Sequence, residues 1–426
     1  MATEHQQQLK EKEIEPKKDT RNFFVFAAHL ILERMGWIFK TETVIMPGFL
    51  DHLGASAMMR GCLPMISRIG QSLPQIFVAH RATGMLRHKV SFLVLSLLQA
   101  LPWAVLAVWL TAKPRVGDYG FLTFFFALYF VHNLVGGARS LFAGTLQGKL
   151  IQARQRGRLM AVSSFVGCIL AVVVARALMP LWLRPGQENY AALFLMTACG
   201  FFLASLVIAL LREPVDDAPQ SRKPFISFVV ASFSLLHQNR GFGRFLFVVG
   251  LMQAVLFLFP HYTPYGVKRL GLEPMNFVLF VMAQNLANAL ASAMLGPVAD
   301  RYGNRLVLCM LIGLAGAVPF LAIVLGSFEP QAVALRLYWI VFACLGLVPV
   351  SQRIVINYVL ELTPTNQHAQ SVGMVNMVQV VPMIFAPLAG LCIDRFNFEP
   401  VFIGCALLTW FAGLLALRLP EPRIVR

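Results

Sequence analysis

The recurrence of long apolar stretches constrains this chain more than any other feature. A helix crosses a hydrocarbon core about 30 Å thick in about 20 residues, and roughly twelve stretches of the sequence are that long. They lie at about 22–48, 56–79, 89–112, 119–143, 158–182, 190–211, 243–266, 274–297, 305–327, 332–359, 368–392 and 399–418. Lipid offers the backbone no hydrogen bonds, so each run predicts a helix and the chain reads as an all-α membrane protein with twelve transmembrane helices. With 58% hydrophobic and 13% charged residues and a mean hydropathy of +0.68, 426 residues carry too little polar surface for a soluble domain. The net charge of +16 would point to nucleic acid in a soluble protein. Here it reads as the Lys and Arg that hold loops on the cytoplasmic side, and no nucleic-acid partner is expected.

Met1 to Arg21 is rich in Gln, Lys and Glu, has no apolar period, and is expected to be a disordered cytoplasmic tail. The first run is interrupted by Glu33 and Arg34 and lacks a small-residue cleavage site, which fits a retained span rather than a signal peptide. With the tail inside, the inner connections and termini hold about 22 Lys or Arg against about 6 in the outer connections. Both termini are therefore placed in the cytoplasm, with the spans in a bacterial inner membrane. Cys62, Cys168, Cys199, Cys309, Cys344, Cys392 and Cys405 lie in or beside apolar runs without C-x-x-C spacing and read as packing residues. No metal or cofactor is expected.

The chain also divides in two. Between Leu211 and Gly243 come a polar stretch, Arg212 to Lys223, and a short apolar segment, Phe225 to Leu236, suited to lying along a membrane surface. Residues 212–242 are thus expected to link two six-helix bundles, 22–211 and 243–418, with 419–426 a second cytoplasmic tail. Spans 1 and 7 begin about 220 residues apart and spans 4 and 10 about 214 apart, the mark of a parallel repeat and of two pseudo-symmetric halves.

Between the eighth and ninth runs stands Gly296 to Arg305, which spells G-x-x-x-D-R-x-G-x-R. A glycine lets a helix end pack closely, an aspartate can face the positive end of another helix, and arginines hold the cytoplasmic side. This decapeptide resembles the signature loop of the major facilitator superfamily, and the topology of essentially the whole chain is similar to that family. The resemblance implies alternating access about a midplane site lined by spans 1, 4, 7 and 10. It also implies a conformational latch made by Gly296, Asp300, Arg301, Gly303 and Arg305. The equivalent place in the first half holds His80, Arg81 and Gly84, a degraded copy that leaves open whether gating is symmetric. A second G-x-x-x-D-R, Gly390 to Arg395, falls on the outer side and cannot serve as an inner latch.

Several charged residues fall within spans, where lipid does not tolerate them unpaired: Arg34, Lys40, Arg60, Arg68, Arg139, Arg176, Arg336 and Arg353, against Glu33 and Glu42. Arg60, Arg176 and Arg336 are near span ends and can snorkel. Glu33 is expected roughly 16 Å into the first span, with Lys40 on the same face and Trp37 between them. It is either a proton carrier or the acid of a permanent pair, with Arg34 and Arg68 as candidate partners. His132, Gly136 and Arg139 share a face of span 4, beside Asn133. Arg139 and Arg353 are 214 residues apart, the repeat offset, and as pseudo-symmetric partners could clamp an anion or bond helix ends.

Further polar groups fit a cavity wall or interhelical glue: Arg68, Gln71 and Gln75 on span 2, Gln253 on span 7, Gln284, Asn285, Asn288 and Ser292 on span 8, Gln352 on span 10, Asn376 and Gln379 on span 11. Phe257, Pro260, His261 and Tyr262 suggest a bent outer gate. No phosphate-binding loop is present, which argues against ATP-driven transport, and no nucleophile–base set suggests an enzyme. Span 5 lacks the glycine pattern of the superfamily's drug/proton antiporters. The preferred reading is a monomeric secondary transporter of a small, anionic organic solute. Arg139, Arg353, Arg68, His132, Asn133, Gln253, Asn288 and Gln352 are the candidate substrate ligands, and Glu33 the candidate for proton coupling. Two rivals remain: an exporter of hydrophobic or lipid-like compounds, and a non-transporting receptor or scaffold on the same fold.

Overall fold

The structure is a computed structural model and describes residues 20–82, 85, 87–112, 118–214, 239–364 and 367–421, with side chains at 75–77, 79–82, 153 and 369 outside that description. Of the expected segments, the N-terminal tail to residue 19 and the surface segment Phe225 to Leu236 lie outside the described residues, as do the side chains of His80 and Arg81 and all of Gly84.

Among the described residues twelve helical units follow one another. α1 comes in two pieces, Thr20–Trp37 and Ile45–His52. The others are α2 (Ala57–Ala82), α3 (Lys89–Leu110), α4 (Tyr119–Leu150), α5 (Ala153–Leu178), α6 (Tyr190–Ile208), α7 (Arg240–Leu270), α8 (Asn276–Tyr302), α9 (Asn304–Gly326), α10 (Gln331–Leu362), α11 (Gln370–Phe396) and α12 (Phe398–Ala416). Ten of them, α3 to α12, are long and apolar enough to cross a membrane; α1 and α2 carry more polar residues. The face at which α1 and α7 begin is called basal here, and the opposite face apical.

Short polar side chains start the helices. Asp118, Asn189 and Asn239 each accept a hydrogen bond from the backbone three residues on, at 3.1, 3.0 and 3.0 Å, satisfying donors that lipid would leave orphaned. Gly303 turns the chain between α8 and α9 with φ +92°, a conformation that a side chain would strain.

α1 and α7 break at matching depths. α1 passes through a tight turn at Ile38–Lys40, and Thr41 restarts it by accepting from the Ile45 amide at 3.1 Å. α7 is interrupted at Gln253 and again at Phe259–His261, where Pro260 cannot donate. The two breaks touch: the Thr263 hydroxyl donates to the Thr43 carbonyl at 2.8 Å, across a sequence separation of 220, the repeat offset.

The core reveals the conformation. On the apical side one continuous hydrophobic cluster joins both halves, from Phe49, Phe125, Tyr190 and Phe194 to Tyr262, Phe280, Tyr338 and Phe402. Toward the basal side it divides into two separate clusters. One lies within the first half around Phe26, Phe92 and Phe142, the other within the second half around Phe245, Val355 and Tyr358. Among the described residues the bundles are thus fused apically and parted basally.

Candidate functional site

Where α1, α5, α8 and α10 meet, charged side chains from both halves converge. Arg34 of α1 donates through Nε to the Asn285 side-chain oxygen of α8 at 3.0 Å. Arg353 of α10 reaches across to the Ser164 hydroxyl of α5 at 3.4 Å. The two guanidinium groups are close enough to act on one another electrostatically. Both are half-buried, and among the described residues neither has an ion-pair partner, so each is met by a single neutral hydrogen bond. One turn basal of Arg353, Asn357 is exposed. Above the pair, Thr43 donates to the Gln284 side chain at 2.8 Å and closes the apical side.

Arg139 is engaged differently. Its guanidinium forms a forked ion pair with Glu33, and Nη1 also meets the ring of His29 at 3.2 Å. The other nitrogen of that ring meets the Ala204 carbonyl at 2.8 Å, tying α1 to α6. The partner of Glu33 is therefore Arg139, with His29, rather than Arg34 or Arg68, and Arg139 is committed within its own bundle instead of facing Arg353. The physical reason is the rotation of α1: Glu33 and Arg34 are adjacent and so point about 100° apart, one into its own bundle and the other toward the opposite one.

His132, Gly136 and Asn133 also face the first bundle's interior. The His132 ring accepts from Trp103 Nε1 at 2.9 Å and lies 3.0 Å from the Gln99 carbonyl, while a β-carbon at Gly136 would lie 2.6 Å from the Gln99 side chain. That face of α4 packs on α3 and is not a cavity wall. Asn133 accepts from Gln71 of α2 at 3.1 Å and donates to the Tyr129 carbonyl.

Next to it, Glu42 accepts from the Tyr129 hydroxyl at 2.6 Å and from Ser67 at 3.0 Å, and its charge acts on the half-buried Arg68. Lys40 is fully buried. Its Nζ sits 3.5 Å over the Trp37 ring, with Trp103, Tyr129 and Phe201 at 5.4 to 6.0 Å, an aromatic cage that compensates the cation without a hydrogen bond.

In the second half, Gln352 accepts from Gln379 at 2.9 Å and holds α10 to α11. Asn288 is buried and accepts from Ser292 within α8. Gln253 is buried at the first break of α7, donates to the Val249 carbonyl, and lines a cavity of about 20 Å³ with Ser351, Gln352 and Thr409. These amides are interhelical and intrahelical glue in this conformation. Arg60 is buried, not snorkelling: it pairs with Asp51 and donates to the Ala55 carbonyl at 2.9 Å. Arg176 and Arg336 are exposed, as expected of span-end arginines.

The signature loop divides into two parts. Gly303 and Arg305 serve their own bundle, since Arg305 donates to the Leu419 carbonyl at 2.8 Å and pairs with Glu421, whose carboxylate sits against Gly303. Tyr358 completes this strap by donating to the Pro420 carbonyl at 2.6 Å. The first half repeats the device: Glu213, just after α6, accepts from the His88 and Lys89 amides at 2.8 Å and pairs with Lys149. Gly296, Asp300 and Arg301 are exposed, and among the described residues a β-carbon at Gly296 would meet nothing within 4 Å. The Arg301 guanidinium lies 5.2 Å over the Tyr302 ring. Sequence reasoning passed over Glu213 and Glu421; the repeated Leu-x-Glu-Pro after α6 and α12, Leu211 to Pro214 and Leu419 to Pro422, was the available signal.

Two helical bundles fused on one face and parted on the other, built as repeated halves, have the architecture of a membrane transporter. The family model described as Major Facilitator Superfamily matches residues 35–387 and again 282–426, and the chain belongs to that family. Solved structures agree on the fold. A POT family transporter in complex with 5-aminolevulinic acid superposes with a TM-score of 0.74 at 13% identity, covering 97% of this chain and 99% of that one. A point mutant of the nucleoside transporter NupG gives 0.70 at 13% identity, with 93% and 99% covered. A D-xylose-proton symporter gives 0.65 at 14% identity, with 94% and 98% covered. No curated protein matches by sequence.

Proposed function

We propose that the protein is a secondary transporter of a small organic anion, bound between Arg34 of the first bundle and Arg353 of the second. The observation that carries this reading is that Arg34 and Arg353, one from each half, both reach across to the opposite bundle and each meet a single neutral partner there. Two arginines without a carboxylate partner among the described residues favour a carboxylate or phosphate, which arginine meets with charge-assisted, bidentate geometry. Because the ligands come from both bundles, an anion would draw the parted halves together and favour the occluded form. Arg68, Gln352 and Asn357 stand as secondary contacts, and Asn288 and Gln253 as wall residues that a moving bundle exposes.

Glu33, Arg139 and His29 form the proton-responsive group in this reading. Protonation of Glu33 would release Arg139 inside the first bundle and change how α1 presents the adjacent Arg34. The basal face, with its Lys and Arg excess, is assigned to the cytoplasm of a bacterial inner membrane, which makes the structure inward-facing with both termini inside. The bundles 22–211 and 243–418 act as the rocking halves, and the protein works as a monomer. Asp300 and Arg301 would bear on the opposite bundle when the basal side closes.

The test is thermal stability of the purified protein against small mono- and dicarboxylates, phosphates, organic cations and neutral sugars. A ligand at about 100 times its Kd should add about 2.7 kcal/mol. Stabilisation by an anion class that Arg34→Gln and Arg353→Gln each abolish is the expected result. Anion stabilisation that survives in both variants, or stabilisation by neutral amphiphiles alone, would overturn the assignment.

A further inference from the structure

The apical seam carries chemistry that the transport site does not use. At its centre the Asp394 carboxylate, from α11, accepts from the Ala57 and Met58 amides at 2.9 and 3.0 Å and so caps the start of α2 in the opposite bundle. The helices are flush at this point. A β-carbon at Gly61 would lie 2.6 Å from the Ala386 carbonyl oxygen, and one at Gly390 would run into the Ala57 carbonyl. This is the second G-x-x-x-D-R segment, and its aspartate bridges the two halves.

His261 lies in the same seam, at the second break of α7, which packs against α2 and the second piece of α1. It is fully buried, and neither ring nitrogen has a hydrogen-bond partner among the described residues. α2 presents Arg60 to it, and that charge acts on the ring. The second piece of α1 brings Asp51, which is engaged with Arg60, and His52, which is exposed. From α11 comes Asp394, committed to the α2 amides. On its own helix stand Tyr262 and Tyr265, and further on Lys268 and Arg269, the last paired with Glu399. The charge that His261 meets is thus a cation. An imidazolium in the closed seam would be a second buried cation beside Arg60 with no acceptor for either N–H, whereas water would solvate it once the bundles separate apically.

We propose that the apical seam is a proton-operated gate: Asp394 holds it shut by capping α2, and protonation of His261 holds it open. Because the open state accepts the proton and the closed state resists it, acid shifts the balance toward the apically open form. The proposal stands apart from the anion site, since no group in it contacts Arg34 or Arg353.

The native amides of Ala57 and Met58 report the gate directly by hydrogen exchange. In the full-length protein, protection at these two positions, corrected for the intrinsic pH dependence of exchange, should fall as pH drops from about 8 to about 5.5, the range in which imidazole titrates. In His261→Gln, which cannot carry the charge, protection should be flat across that range. In Asp394→Ala, exchange there should be about tenfold faster at every pH, the loss of one helix cap. His261→Asn repeats the measurement should the Gln variant fold poorly. Unchanged protection of Ala57 and Met58 in Asp394→Ala, a flat wild-type profile, or the same acid response in wild type and the His261 variants would each overturn the proposal.

Discussion

At the scale of single residues, neighbours in the sequence do different work. Glu33 and Arg139 form a buried pair, at 13% and 12% side-chain exposure, with His29 against both. Removing one member strands the other, so Glu33→Gln or Arg139→Gln should each cost about 3–5 kcal/mol in thermal or denaturant unfolding. Glu33→Leu combined with Arg139→Met should recover most of that, because desolvation of the pair offsets its attraction. If the double variant is as unstable as the singles, the pair is not the unit of stability described here. Arg34, next in sequence, faces the other bundle and has no such pair among the described residues, so Arg34→Gln should change stability by less than about 1 kcal/mol while removing anion binding. The sequence identified Glu33, Arg139, Arg353 and Lys40 as unusual for a membrane span. It did not assign their partners, because pairing depends on the rotation of α1 about its axis, which periodicity leaves unset where a helix is polar on more than one side. The caging of Lys40 by rings from three other helices was likewise invisible, since those rings read as ordinary apolar residues.

At the scale of elements, twelve helices were legible because a continuous apolar run of about 20 residues satisfies its own backbone in lipid as a helix, and their boundaries came out within a few residues for most spans. The longest departure is α4, which runs to Leu150 and not to about residue 143, since Gly144 and Gly148 face open space and nothing obliges the helix to stop. The breaks in α1 and α7 were partly legible: Pro260 announced the second, while nothing in the Thr41-Glu42-Thr43 stretch announced the first. Half of the signature loop straps its own bundle. Arg305→Gln should therefore speed amide exchange in the first turn of α9 and at Leu419, with a stability loss below about 1 kcal/mol for a half-exposed arginine. Unchanged exchange at both places would remove the strap. On the apical side, Gly390→Val should push α11 off α2. Spin labels at the apical ends of these helices should report a longer distance than in the parent protein, and an unchanged distance would mean the contact does not hold the seam.

At the scale of the whole molecule, a core continuous on the apical face and divided on the basal face is the signature of one state of a two-state machine. The repeat offset of about 220 residues, read from the sequence, places Thr43 against Thr263 at the junction of the halves, so the pseudo-symmetry is a physical contact as well as a pattern. Which face is closed could not be read from the sequence, because the same residues must pack in both states. Transport of an organic anion bridging Arg34 and Arg353 can be read in proteoliposomes on a solid-supported membrane, by recording currents on rapid addition of a panel of mono- and dicarboxylates, phosphates, organic cations and neutral sugars. Saturable currents with one class of anion, silenced by Arg34→Gln and by Arg353→Gln, are the expected result. Currents or flux evoked by neutral or cationic solutes and undiminished in both variants would contradict it.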